Sequence, residues 1–150
     1  METEVSYQRE KLNPLADDFV RWLELFDAHA IELRDVRSCL ATSQYMKMQD
    51  EGRLVIITAR VDGILQGYSS HFWHRDLHFE HRVAQDDAWY VVPEFRNHGV
   101  GRKLREMALE ELKKDGVKYA YGRLKVLHPH DTSMKELGYV PWETVFIKEL

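Results

Sequence analysis

Residues 91–101, VVPEFRNHGVG, decide how the rest of the chain is read. Val91 and Val92 close an apolar strand, Pro93 stops it, and a cationic turn with glycines at 99 and 101 leads into a helical pattern from Val100. A strand that enters such a turn and then a helix leaves backbone N–H groups unpaired at the helix's positive end, where an anion binds. Glycine at 99 and 101 also lets a ligand come close to the backbone. Two familiar phosphate-binding patterns fail on spacing. A Walker A loop needs Gly-Lys-Ser/Thr, and Gly101 is followed by Arg102-Lys103-Leu104. The dinucleotide fingerprint needs a third glycine where Leu104 stands, and an acidic residue about 20 positions on, where the chain reads AYGRLKV.

Working outward, EVSYQREK (4–11) reads as a short first strand. NPLADDFVRWLELFDAHAIEL (13–33) reads as a helix, with Asn13 as cap, Pro14 at the first helical position and Asp17 and Asp18 at the positive end. Leu15, Phe19, Trp22, Leu23 and Phe26 recur at helical spacing and are expected in the core. A second helix is expected within 34–52, with Val36, Cys39, Leu40 and Tyr45 inward and Gly52 as its stop. Asp62-Gly63 between two strand-like runs is a hairpin signal, and a further strand ends at Pro93. Leu104, Met107, Ala108, Glu111 and Leu112 then mark one side of a helix that Gly116 terminates. A strand in VKYAYGRLKVL, a short helix in PHDTSMKELG and a last strand in VPWETVFIKEL complete the order β-α-α-β-β-β-α-β-α-β.

The chain has 150 residues, 44% hydrophobic and 31% charged, which suits one α/β domain over residues 1–150. The net charge of −4 argues against nucleic acid as a main partner, although Arg96, Arg102, Lys103 and Arg105 suggest a locally positive patch. No apolar run is long enough for a membrane span and the start lacks a signal-peptide pattern, so a cytoplasmic location is expected. The single cysteine, Cys39, excludes an internal disulfide and reads as core. His71, His74, His78 and His81 would suggest a metal site on a helix; on a hairpin they scatter over both faces, and no metal is expected.

A third pattern, Arg/Gln-x-x-Gly-x-Gly/Ala, is met at every defined position by Arg96-Asn97-His98-Gly99-Val100-Gly101. With the strand end Val91-Val92-Pro93-Glu94-Phe95 and the closing KELGYVPWETVFIKEL, the chain resembles the GNAT superfamily of N-acetyltransferases, most closely over 45–150. The resemblance implies a mixed central sheet flanked by helices and binding of acetyl-CoA, its pyrophosphate cradled by backbone N–H groups around Asn97 to Arg102. On this reading the cofactor-binding residues are Trp89, Val91, Arg96, Asn97, His98, Gly99, Val100, Gly101 and Arg102. Main-chain groups of Trp89 and Val91 would pair with the acetyl-pantetheine arm where two strands splay.

The implied activity is direct transfer of the acetyl group to a primary amine in a ternary complex. A lysine-type amine, with a pKa near ~10.4, must first lose a proton. Asp86 and Asp87 are the candidate bases, at most one facing the site unless a bulge intervenes, and Asp87 occupies the superfamily's usual acidic position. Two departures stand out. Met134 replaces the tyrosine commonly found four residues before the terminal glycine, Gly138, leaving Ser133, Tyr121 or water to protonate the thiolate. His128-Pro129-His130-Asp131 replaces a common asparagine, so His128 or His130 becomes a candidate contact or base. These departures support an alternative, a binding or assembly module with weak or no catalysis, such as a virus-encoded protein. Acidic net charge points to a cationic acceptor such as a polyamine, an aminoglycoside-type molecule or a lysine side chain, and a homodimer is the superfamily-level expectation.

Overall fold

The computed structural model describes residues 3–33, 40–126 and 131–150. Val36, Cys39, His128 and His130 lie outside them, as do the roles anticipated for those residues. The described chain runs β1 (Ser6–Glu10), α1 (Phe19–Glu32), α2 (Thr42–Asp50), β2 (Leu54–Val61), β3 (Ile64–Arg75), β4 (Arg82–Val91), α3 (Val100–Lys114), β5 (Val117–Tyr121) and α4 (Asp131–Glu136). A 3-10 turn at Pro93–Phe95 separates β4 from α3. The five strands form one mixed sheet in sequence order, antiparallel throughout except for the parallel β4–β5 pair.

Alternation along the strands supplies two cores. One sheet face carries Val55, Ile57, Ala59 and Ala84 against Leu104, Ala108 and Leu112 of α3. The opposite face carries Leu54, Ile56, Leu65, Tyr68 and Tyr90 against Trp22 and Leu25 of α1. Leu104 is fully buried, and its truncation to alanine falls in the class that costs about 2–5 kcal/mol. The β2–β3 hairpin turns on Asp62 and Gly63, both at positive φ (49° and 79°), as the Asp-Gly signal requires. Gly52 and Gly116 follow α2 and α3 at φ 72° and 80°, as their stop roles predict.

Two expectations fail. The first helix begins at Phe19 rather than at Pro14, because Asn13 folds the chain into a turn. Its Oδ1 accepts from Leu15 N–H, its carbonyl accepts from Ala16 N–H, and Asp18 bonds Arg60 instead of capping. Leu15 is therefore exposed and Leu23 is at the surface, while Leu25 takes the buried place. The last strand does not form either. Residues 140–150 pair with no strand, and Val140, Trp142, Val145, Phe146, Ile147 and Leu150 are exposed. An alternating pattern makes a strand only where a sheet edge receives it, and Pro141 removes one ladder donor from the segment.

Candidate active site

The site is organised by an irregularity in β4. Ser70 pairs with Ala88 and His71 with Asp86, so Asp87 has no partner opposite and forms a β-bulge. The two neighbouring aspartates consequently serve opposite faces. Asp86 turns toward α3, where Arg105 Nη2 lies 3.6 Å from its Oδ2. Asp87 turns toward the α1/α2 face, where its Oδ2 accepts from the hydroxyls of Ser70 (2.7 Å) and Tyr45.

Beyond the bulge, β4 parts from β5. The parallel ladder covers Arg82–Gln85 against Val117–Tyr121 and stops there. At the point of separation both oxygens of Asp86 accept the backbone N–H of Arg123 at 3.0 Å, so the carboxylate stands where the next strand rung would be. Burial pushes the Asp86 carboxyl upward, opposed by the Arg123 N–H and by Arg105. Val92 N–H bonds Gln66 O on the β3 side, and alternation therefore turns the main chain of Trp89 and Val91 toward the gap. One of these groups is already engaged, since Val91 O accepts from Arg96 Nε at 2.7 Å.

The loop after β4 ends in a backbone cradle. Asn97 (φ 63°) and Gly99 (φ 80°) are left-handed, and Gly99 is the residue from which α3 starts. The N–H groups of the first helical turn have no intrahelical acceptor by geometry, and nothing lies within 4 Å of where a Gly99 Cβ would stand. Asn97, His98 and Gly99 are exposed at the loop tip, and Val100 is buried as its anchor. Trp89 locks the cradle to β4. Its Nε1–H donates to Gly101 O at 2.9 Å, and a Cβ at Gly101 would press on the indole at 3.3 Å.

The expected cationic patch is largely neutralised. Arg96 makes a two-pronged ion pair with Glu32 of α1 (2.8 and 2.7 Å), and its N–H bonds Pro93 O, so it braces the loop rather than facing it. Arg102 pairs with Glu106 and Glu136. Arg105 is 1% exposed, stacked over the Trp89 ring at 4.6 Å, with Nη1 donating to His71 Nε2 at 2.9 Å. Burial and the neighbouring guanidinium push His71 down to about 3, consistent with a ring that accepts that bond. The cradle's positive character therefore comes from backbone N–H groups and the helix end more than from side chains.

Sequence reasoning missed Arg105 as a core residue, although its spacing from Gly101, Ala108 and Leu112 puts it on an inward line of α3. Tyr45 and Ser70 were not recognised as partners of Asp87, and no local signal marks such a long-range bond. Met134 is buried, its methyl group against Gly122, and donates no proton. Ser133 and Tyr121 are partly buried. Tyr139, also overlooked, packs on Gly122 with a buried hydroxyl near Arg105 and Asp86. The four histidines scatter: His71 faces α3, His74 stands on the other strand face, and His78 and His81 lie by the β3–β4 turn.

The acetyltransferase (GNAT) family model matches residues 17–137. The chain belongs to the acetyltransferase (GNAT) family. No curated protein matches the sequence. Among solved structures, an aminoglycoside acetyltransferase from an uncultured soil metagenomic sample, in complex with sisomicin, superposes with a TM-score of 0.76 at 14% identity, covering 97% of this chain and 96% of that one. Glucosamine-6-phosphate N-acetyltransferase from Arabidopsis thaliana gives 0.73 at 15% identity, with 96% and 98% covered. The aminoglycoside N-acetyltransferase AAC(6')-Iy in complex with CoA gives 0.74 at 15% identity, with 100% and 97% covered. At these identities the GNAT fold is shared, while the acceptor is not fixed by the likeness. Among the described residues no helix is long and apolar enough to cross a membrane.

Proposed function

We propose that this GNAT protein transfers an acetyl group from acetyl-CoA to a primary amine by direct attack. The observation that carries the reading is the coincidence of three features on β4 and its exit: the β4–β5 gap, the bulged Asp87 and the left-handed Gly99 opening α3. The residues fit the cofactor. Backbone N–H groups from Asn97 to Arg102 would hold the pyrophosphate, and the gap-facing main chain of Trp89 and Val91 would hold the pantetheine arm. Val91 O contributes less than expected because Arg96 occupies it, and Arg96 acts as a brace. Acetyl-CoA, when bound, supplies an activated acyl group with a thiol as leaving group.

The chain's own residues do the rest. Asp87 receives an ammonium from the α1/α2 side and takes up its proton directly or through water, releasing a neutral nitrogen nucleophile. A main-chain N–H at the gap stabilises negative charge developing on the acyl oxygen. The C–N bond forms, the C–S bond breaks, and the thiolate collects a proton from water, since Met134 offers none. Tyr45 is held as a phenol, burial and Asp87 raising its pKa, so it serves as a donor that orients Asp87.

Calorimetric titration with acetyl-CoA, CoA and ADP, followed by thiol-release assays with amines, tests the reading. Binding of acetyl-CoA shared in part by CoA is the expected result. Asp87→Asn should lower kcat by roughly 10²–10⁴ with unchanged acetyl-CoA affinity. Wild-type turnover in that variant at neutral pH removes Asp87 as the base. Failure of the wild type to bind any of the three ligands overturns the reading in favour of a binding or assembly module.

A further inference from the structure

On the α1/α2 face, beside Asp87, the sheet and helices leave a recess of about 330 Å³, its mouth included. Its walls are apolar, with Leu12, Trp22, Phe26 and Ile56 prominent. Its polar end is formed by Tyr45 and Ser70, the two residues that hold Asp87, and by Tyr68. The Tyr68 hydroxyl is buried and has no hydrogen-bond partner among the described residues. A buried hydroxyl without a partner is uncommon and marks a place where a ligand's polar atom completes the pairing.

From this arrangement we infer that the acceptor is a small monoamine with an apolar body, aromatic or alkyl, bound with its nitrogen at Asp87 and Tyr68 and its carbon skeleton against Trp22, Phe26 and Ile56. The inference rests on the acetyl-transfer reading of the same site. One carboxylate meets one ammonium, and the Tyr68 oxygen takes a further N–H. A second cationic centre would have to lie among aromatic and aliphatic walls with no counter-ion, because Glu32, an acidic residue of the neighbouring helix, is engaged by Arg96. His29, on the same helix and 5.3 Å from the Tyr90 ring, is lowered by burial and adds no fixed charge. The volume stands at the lower end of small-molecule sites, which span about 300–1,000 Å³, and suits one ring or a short chain rather than several linked rings. The acidic net charge is therefore a poor guide to the acceptor, and polyamines and aminoglycosides are disfavoured. The balanced outcome is an N-acetyl amide, a free CoA thiol and one proton from the original ammonium.

The test compares phenethylamine and hexylamine with spermidine and kanamycin, by thiol release with acetyl-CoA and by calorimetric titration of the full chain saturated with CoA. Both monoamines should exceed both polycations by at least about 30-fold in kcat/KM and in affinity, the scale of one uncompensated buried charge or several buried methylenes. Tyr68→Phe should fold normally, having lost a hydroxyl with no protein partner, and should weaken monoamine binding severalfold while sparing acetyl-CoA affinity. Equal or better use of spermidine or kanamycin overturns the acceptor class and leaves acetyl transfer standing. Preferential monoamine binding without turnover keeps the recess assignment and sinks the transfer reading. Absence of amine binding by calorimetry overturns the inference outright.

Discussion

The two faces of the sheet at β4 differ in how completely they are filled. On the α3 face, Arg105, His71, Asp86 and Trp89 form a packed polar cluster in which side chains brace one another and the helix start. On the α1/α2 face, one residue away, Asp87 stands at the surface beside a recess and an unpaired tyrosine hydroxyl. Adjacent aspartates thus have different tasks: one stabilises architecture, the other is available for chemistry. The lesson is that a buried charge near a site is often the frame, and the reactive group is the neighbour the frame leaves exposed.

The sharpest way to break this contrast is to remove Arg105. Arg105→Ala should cost about 3–5 kcal/mol in denaturant-monitored stability, because it strands Asp86 and leaves His71 without its partner. A change below ~1 kcal/mol would mean that the cluster frames nothing. Next in size, Gly99→Asp should reduce acetyl-CoA affinity by at least ~100-fold by placing negative charge at the helix start, while Gly99→Ala, carrying only the left-handed backbone penalty of roughly 1–2 kcal/mol, should retain part of it. Equal losses in the two variants would assign the effect to strain alone.

A pH series sharpens the frame from another side. His71 is held at about 3 in the folded protein against about 6.5 in the unfolded chain, so the unfolded state binds the extra proton first as pH falls. Stability contributed by neutral His71 is complete above about pH 6.5 and is lost toward pH 3 with a slope of up to ~1.4 kcal/mol per pH unit. Asp86, raised by burial, acts with the opposite sign, so the comparison must be between wild type and His71→Gln. The variant should lose most of the slope; an identical slope assigns the pH dependence elsewhere. The smallest effect belongs to Arg102→Ala. Its ion pairs with Glu106 and Glu136 lie on the surface, and thermal unfolding should show no resolvable shift in midpoint.

What the sequence disclosed followed the range of the interactions involved. The Asp62-Gly63 turn, the stops at Gly52 and Gly116, and the Arg96–Gly101 loop are local, because backbone geometry there is dictated by the residue itself. Asp87 was reachable by position, yet its hold by Tyr45 and Ser70 depends on residues 42 and 17 positions away. Arg96 and Arg102 read as cations for a ligand until the fold supplied Glu32 and Glu136. Residues 140–150 show the converse failure. Their alternation satisfies every strand rule except the possession of a neighbour, and a neighbour is not written in the segment.

The bulge at Asp87 also has a genetic side. Ser70 already faces Ala88 and His71 already faces Asp86, so the residue between them is surplus to the ladder. Excising its codon in frame would join two correctly alternating halves, with Asp86 still under α3 and Tyr90 still against the opposite core. The reactive carboxylate is thus separable from the fold by a three-nucleotide deletion, and a lineage could acquire or discard it without repacking the sheet.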